Sequence, residues 1–300
     1  MKKVFFTPGP SQLYPTVEAH LAAALVDQVG SISHRSQAFM DIYAHAEKGL
    51  RELLGIPADY SLFFMSSANE AWERIAQNCV DKKSFHWVTG SFSKRFRTYV
   101  ADYGKEAVGH KVEMGKGFAL EELKVPAGTE LVAAIANETS TGVWTAPERI
   151  AAFRAKWPEP LLVVDAVSAY PAYQLDLTQV DGVYFSVQKG FGLPAGLGVL
   201  VAGPRMLAKA EALEAAGKVT GSYHSFAAMR AKAVKSQTPE TPNVLGIYLL
   251  GKVVEDMNHE SQRQLRAHIE AKAQRLAEYF EQDTRFSFSV SNPADRSPFV

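Results

Sequence analysis

Two residues of this chain stand where an amine and an acid could act on one ligand. Asp165 closes the apolar run LLVVD (161–165), and Lys189 comes just after the apolar run Val183 to Val187. A run of Leu and Val that is apolar at every position reads as a strand buried on both faces, as in a parallel sheet. Parallel strands present functional groups at their carboxyl ends. A lysine that holds an aldehyde as a Schiff base, beside a carboxylate that keeps a pyridine nitrogen protonated, is the pair that pyridoxal phosphate chemistry requires. Alone the pair is a weak signal, because the chain has 32 acidic and 32 basic residues and most such side chains are solvated surface charges.

Other segments supply partners for such a ligand. LFFMSSANEA (62–71) reads as a strand, a turn of small polar residues and a helix start. Free N–H groups and the helix dipole make that turn a phosphate cup, and equally an ordinary N-capped helix with Ser67 or Asn69 as the cap. It has neither GxGxxG nor the Walker A lysine, so no dinucleotide or triphosphate loop is indicated. In HWVTGSFSKRF (86–96), Phe92 follows a glycine turn and could stack on a planar ring or simply fill the core. In NETSTGV (137–143), Thr139 could bond a phenolic oxygen or a substrate carboxylate, or serve only the turn.

The elements that must position these residues show in the hydrophobic periods. Pro15 to Asp27 and Gln37 to Leu54 carry apolar residues at helical spacing, and Gly55 and Pro57 stop the second. Short apolar runs follow at Leu62 to Met65, Phe85 to Thr89, Leu131 to Ala136, Leu161 to Asp165, Val183 to Val187 and Gly198 to Val201, separated by helix-forming stretches. That rhythm predicts an α/β fold with a mainly parallel sheet covered by helices on both faces. From Thr241 it gives way to two helical segments, Thr241 to Met257 and Glu260 to Phe280, and the tail Arg285 to Val290 alternates like a half-exposed strand. We expect a large domain over residues 13–240 and a smaller α+β domain from 1–12 and 241–300, the latter apparently incomplete at residue 300.

Composition narrows the class. A length of 300 residues with 47% hydrophobic content supports a sizeable core. Zero formal net charge, without like-charge runs, gives no footprint for nucleic acid or a membrane surface, so small molecules are the expected partners. No apolar run approaches the ~20 residues of a membrane span, and MKKVFFTPGP is too short for a signal-peptide core. Cys79 is the only cysteine and the eight histidines show no close ligand pairing, so neither a disulfide framework nor a metal site is expected. Cytoplasm is the default compartment.

Taken in order, SISHRS (31–36), SSANEA (66–71), TGSFSKRF (89–96), NETSTGV, VVDAVSA (163–169), SVQKGFG (186–192) and QTPETPN (237–243) resemble the class V aminotransferases of pyridoxal phosphate fold type I, and within them most resemble the phosphoserine aminotransferases. The likeness runs from Thr7 onward. It implies that Lys189 forms the Schiff base and moves a proton between substrate Cα and cofactor C4′, while Asp165 holds the pyridinium. It places Ala68, Asn69 and Gln188 around the cofactor phosphate, Phe92 at the ring-stacking position and Thr139 near the phenolic oxygen. Gln237 and Thr238 match a segment that reaches the phosphate from the partner subunit, which implies a homodimer with shared active sites. His34 and Arg35 match a substrate-binding pair, and a guanidinium suits a carboxylate or phosphate; their alternative is a surface ion pair. The implied reaction moves an amino group between L-glutamate and a small 2-keto acid, 3-phosphohydroxypyruvate.

The chain also departs from that family. It carries Ser67 and Ala68 where glycines are common in the phosphate loop, and Phe92 where tryptophan is common. NETSTGV leans towards the alanine or serine to glyoxylate aminotransferases of the same class. A cysteine desulfurase would need a reactive cysteine on a mobile loop, whereas Cys79 falls in a helical stretch. A metabolite-binding scaffold without turnover is the non-enzymatic alternative.

Overall fold

The computed structural model describes residues 3–5, 7–260 and 262–299. Two helices, α1 (Val17–Val26) and α2 (Gln37–Leu54), precede the first strand. Then β1 (Ser61–Met65), α3 (Ala68–Cys79), β2 (Lys83–Val88), α4 (Ser91–Asp102), β3 (Glu106–Lys111) and β4 (Leu131–Ile135) alternate. A small ribbon, β5 (Asn137–Glu138) and β6 (Val143–Trp144), leads to α5 (Pro147–Lys156), β7 (Leu161–Asp165), β8 (Gly182–Ser186) and β9 (Gly198–Ala202). Helices α6 (Pro204–Ala215), α7 (Phe226–Ala233), α8 (Val244–Asn258) and α9 (Gln262–Gln282) follow.

Seven strands form one sheet in the order β1-β9-β8-β7-β4-β2-β3. Six run the same way, and only β9 is antiparallel to its two neighbours. Burial on both faces explains why the strands are apolar at every position. Leu62, Phe64, Leu162, Val164, Val183 and Phe185 pack on one side against α2, α5 and α8. Phe63, Met65, Leu161, Val163 and Tyr184 pack on the other against α3, α4, α6 and α7. The α/β expectation therefore holds in the main sheet.

Local signals set the ends of the helices that matter here. Ser36 caps α2 by accepting from the Phe39 N–H at 3.3 Å, and Gly55 ends it in the left-handed region at φ 63°. Ser67 caps α3 by accepting from the Glu70 N–H at 3.3 Å. Helix α8 carries Ile247, Leu250, Val253 and Val254 into the same core as α2, so residue 240 precedes a helix of the central core rather than a separate unit.

Two features differ from expectation. The tail Arg285–Val290 is not a strand: its residues lie in turns and irregular backbone, with Val290 buried and Phe286 against Phe280. Alternation alone makes no strand without a neighbour for its backbone groups, and among the described residues the isolated bridge between Val143 and Arg296 lies beyond this stretch. The described part beyond residue 241 is accordingly helical and irregular, not α+β. Conversely, the edge strand β3 escaped notice because EAVGHK is half-exposed and polar.

Candidate active site

The six parallel strands end at one edge of the sheet, and most of the candidate residues gather there. Asp165 is the last residue of β7; Gln188 and Lys189 follow β8; Ala68 and Asn69 open α3 after β1; Phe92 lies in the first turn of α4 after β2; Thr139 follows β5. A parallel sheet brings loops far apart in sequence to one rim, as ligand sites at carboxyl ends of strands require.

Asp165 is buried, and its Oδ1 accepts from the Val167 N–H at 2.9 Å. Burial is the main cause that pushes its carboxyl from 3.8 up to about 7; the Val167 N–H, Tyr184 and Lys189 pull it down, and Glu138 pushes it further up. Partial burial draws the Lys189 ammonium below its usual value, against the pull of Asp165. Lys189 Nζ donates to the Pro8 carbonyl at 2.8 Å. Ser11 fastens the same N-terminal strap, its N–H donating to Gln188 O at 2.9 Å and its hydroxyl to Lys189 O at 2.5 Å. Gly9 sits at φ 139° beneath the amine, where a Cβ would collide with the Lys189 side chain.

Around this pair the polar groups are organised by the strand ends. Thr139 Oγ1 donates to Ser168 Oγ at 2.8 Å, and Asn137 Nδ2 donates to the same hydroxyl at 2.9 Å. The first amide of α3, Ala68 N–H, donates to Ser186 Oγ at 3.0 Å. Phe92 N–H donates to Glu138 Oε1 at 3.3 Å. Three buried side-chain oxygens, Thr89 Oγ1, Asn137 Oδ1 and Gln188 Oε1, have no hydrogen-bond partner among the described residues. Orphaned polar atoms beside a poorly solvated carboxylate call for a polar, cation-bearing ligand. The residues therefore fit a protonated pyridine ring with an aldehyde at the amine.

Arg35, Gln237 and Thr238 form a second group, with His34 next to Arg35 in the chain. Arg35 donates from Nη1 to Thr238 O at 2.7 Å and Gln237 Oε1 at 3.2 Å, and from Nη2 to Pro239 O at 3.0 Å. Thr238 is buried and its hydroxyl donates to Glu240 O at 2.8 Å. The segment 237–240 is tied in turn to the start of α3: His224 bonds Glu240 at 2.7 Å on one ring nitrogen and Glu70 on the other, and Glu70 accepts from the Ser66 N–H at 2.9 Å. In this structure, Arg35 thus grips its own chain. The cleft beside α3, of about 610 Å³, is lined by Asn69, Glu70 and Tyr223 among others and includes neither Asp165 nor Lys189.

Reading the sequence missed the strap Pro8–Ser11, Ser168, Ser186, Glu138 and the Glu70–His224–Glu240 cluster. Only Gly9 between two prolines, and an acid set between a buried strand and a turn, offered any signal. Among the described residues no group of His, Cys, Asp and Glu could hold a metal ion, and no helix is long and apolar enough to cross a membrane.

The family profile described as Aminotransferase class-V matches residues 4–300. The chain belongs to the class V aminotransferases. As a member of that family it is a pyridoxal-phosphate-dependent aminotransferase, acting on amino-acid and keto-acid substrates. A phosphoserine aminotransferase from Cytophaga hutchinsonii is 48% identical with a TM-score of 0.97, over 99% of this chain and 82% of that one. A protein of Mycobacterium sp. (strain KMS), provisionally named a phosphoserine aminotransferase, is 30% identical over 98% of this chain and 78% of its own. An alanine–glyoxylate aminotransferase from Nostoc sp. shares the fold, with 21% identity and a TM-score of 0.78 over 99% of this chain and 80% of that one.

Proposed function

We propose that this aminotransferase moves the amino group between L-glutamate and 3-phosphohydroxypyruvate to give O-phospho-L-serine, as a cytoplasmic homodimeric enzyme of serine biosynthesis. The similarity to the Cytophaga hutchinsonii phosphoserine aminotransferase carries the choice of substrate. The placing of Asp165 and Lys189 on one rim supports the roles assigned to them.

When bound, pyridoxal phosphate supplies an electron-withdrawing ring that stabilises the electron pair left on the substrate Cα after deprotonation. Asp165, with its raised proton affinity, holds a proton at the ring nitrogen. Lys189 would take the proton from Cα, and half-burial, by drawing the ammonium pKa down, increases the neutral amine available for that step. Phe92 covers one ring face, and the Thr139 hydroxyl serves the ring oxygen. Ala68, Asn69 and Gln188 receive the phosphate, with Gln237 and Thr238 reaching it from the partner subunit. His34 and Arg35 bind the anionic end of the substrate, Arg35 also tethering segment 237–239.

The test is the absorption spectrum of purified protein with pyridoxal phosphate. A visible band should appear, be lost on adding L-glutamate and return with 3-phosphohydroxypyruvate, and Lys189→Ala should abolish turnover. Absence of a band, or wild-type turnover in Lys189→Ala, would remove the proposal. Return of the band with glyoxylate and not with the phosphorylated keto acid would refute the substrate assignment.

A further inference from the structure

Glu138 is fully buried, and the roles assigned above leave it unused. Removing a carboxylate from water is costly unless donors replace the solvent. Here five neutral donors do so. Oε1 accepts from Phe92 N–H at 3.3 Å, Ser140 N–H at 3.4 Å and Ser140 Oγ at 2.6 Å. Oε2 accepts from Ser93 N–H at 3.0 Å and Ser93 Oγ at 2.8 Å. No Lys or Arg forms an ion pair with it among the described residues. Gly90 makes this approach possible, since a Cβ there would run into the Glu138 side chain and lie 2.5 Å from Ser140 Oγ. The carboxylate thus serves as the anionic cap of α4 and fixes the backbone of Phe92.

Its charge has a second consequence. Glu138 raises the proton affinity of Asp165, whose other charged or titratable neighbours are Tyr184 and Lys189, both on or after β8. A second buried carboxylate near Asp165 adds negative charge to the rim, which a protonated ring at Asp165 would offset.

We infer that Glu138 is a positioning residue for the cofactor ring: it sets Phe92 through the first turn of α4, and its charge strengthens the hold of Asp165 on the ring proton. This rests on the cofactor roles proposed above. The charge effect separates it from a merely structural cap, because a neutral cap of the same shape would leave proton affinity at Asp165 lower.

The discriminating experiment measures binding of 4-deoxypyridoxine 5′-phosphate, an analogue without the aldehyde, to apoprotein across pH, with circular dichroism as the folding control. The wild type should bind it, and a wild type that binds neither the analogue nor pyridoxal phosphate fails the cofactor roles themselves. Glu138→Gln should bind about tenfold more weakly, with the alkaline limit of binding moved down by about one pH unit, because losing a nearby negative charge makes the proton easier to lose. Glu138→Asp keeps the charge and shortens the reach, so it should bind more weakly with the alkaline limit in place. Unchanged affinity in both variants, or weaker binding in Glu138→Gln with an unmoved limit, overturns the inference. If Glu138→Gln does not fold, Glu138→Asp decides alone: wild-type affinity, or a displaced alkaline limit, overturns it.

Discussion

Replacing His224 by glutamine tests the clamp between the start of α3 and segment 237–240. His224 is 4% exposed and lies between Glu70 and Glu240. Burial alone would lower its pKa, but the hydrogen bonds it makes to Glu240 and then Glu70 outweigh it and bring the imidazole from 6.5 up to about 9. At about 1.4 kcal/mol for each pH unit, that rise corresponds to about 3 kcal/mol of stabilisation. Burial acts to raise the Glu70 carboxyl, and the bonds from His224 and Ser66 overcome it and hold the group down at about 2. The two shifts share the His224–Glu70 contact, which counts once.

The folded-state pKa of His224 lies above the unfolded one, so its stabilisation is complete below pH 6.5 and is lost as pH rises through about 9. Glu70 works in the opposite sense, its contribution being present above 4.5 and lost as pH falls towards about 2. The clamp is therefore fully engaged between these limits. Thermal unfolding of wild type and His224→Gln should be followed side by side at pH 6 and at pH 10. At the lower pH the variant should melt roughly 5–10 °C lower, and at the higher pH the two curves should converge. A gap of the same size at both values would refute the argument, because shape and packing would then account for the whole effect.

Two further substitutions probe the rim. Gly9→Ala puts a methyl against Lys189 Nζ at a backbone angle of φ 139° that side chains rarely adopt; capture of pyridoxal phosphate, trapped by borohydride and weighed by mass spectrometry, should fall about tenfold or more. Unchanged capture would show that the strap does not orient the amine. Arg35→Ala removes three donated bonds to residues 237–239, and KM for the phosphorylated substrate should rise about tenfold or more with kcat little changed. Loss of cofactor affinity without a change in KM would show that Arg35 serves only its own chain.

Much of the fold was legible because its signals are local. Gln37–Leu54 carries its own cap, apolar stripe and terminal glycine, and the helix occupies that span. The buried strands announce themselves by apolar runs, which need only burial on both faces and not knowledge of the neighbour. The tail at 285–290 failed for the same reason in reverse, since its alternation was local but the missing partner strand was not. Asp165 and Lys189 were legible by type and position, whereas the Pro8 carbonyl at Lys189 joins residues 181 positions apart in sequence.

By itself, then, the order of residues determined the strand and helix rhythm, the candidate pair Asp165 and Lys189 and the seven segments that resemble the family. Tertiary structure decided that β9 runs antiparallel between β1 and β8, that Glu138 is buried and caps α4, and that His224 joins α3 to the segment Arg35 holds. Propensity and period act over a few residues, but strand direction, desolvation and charge coupling depend on which distant groups share a space, and that is set only once the sheet has closed its core.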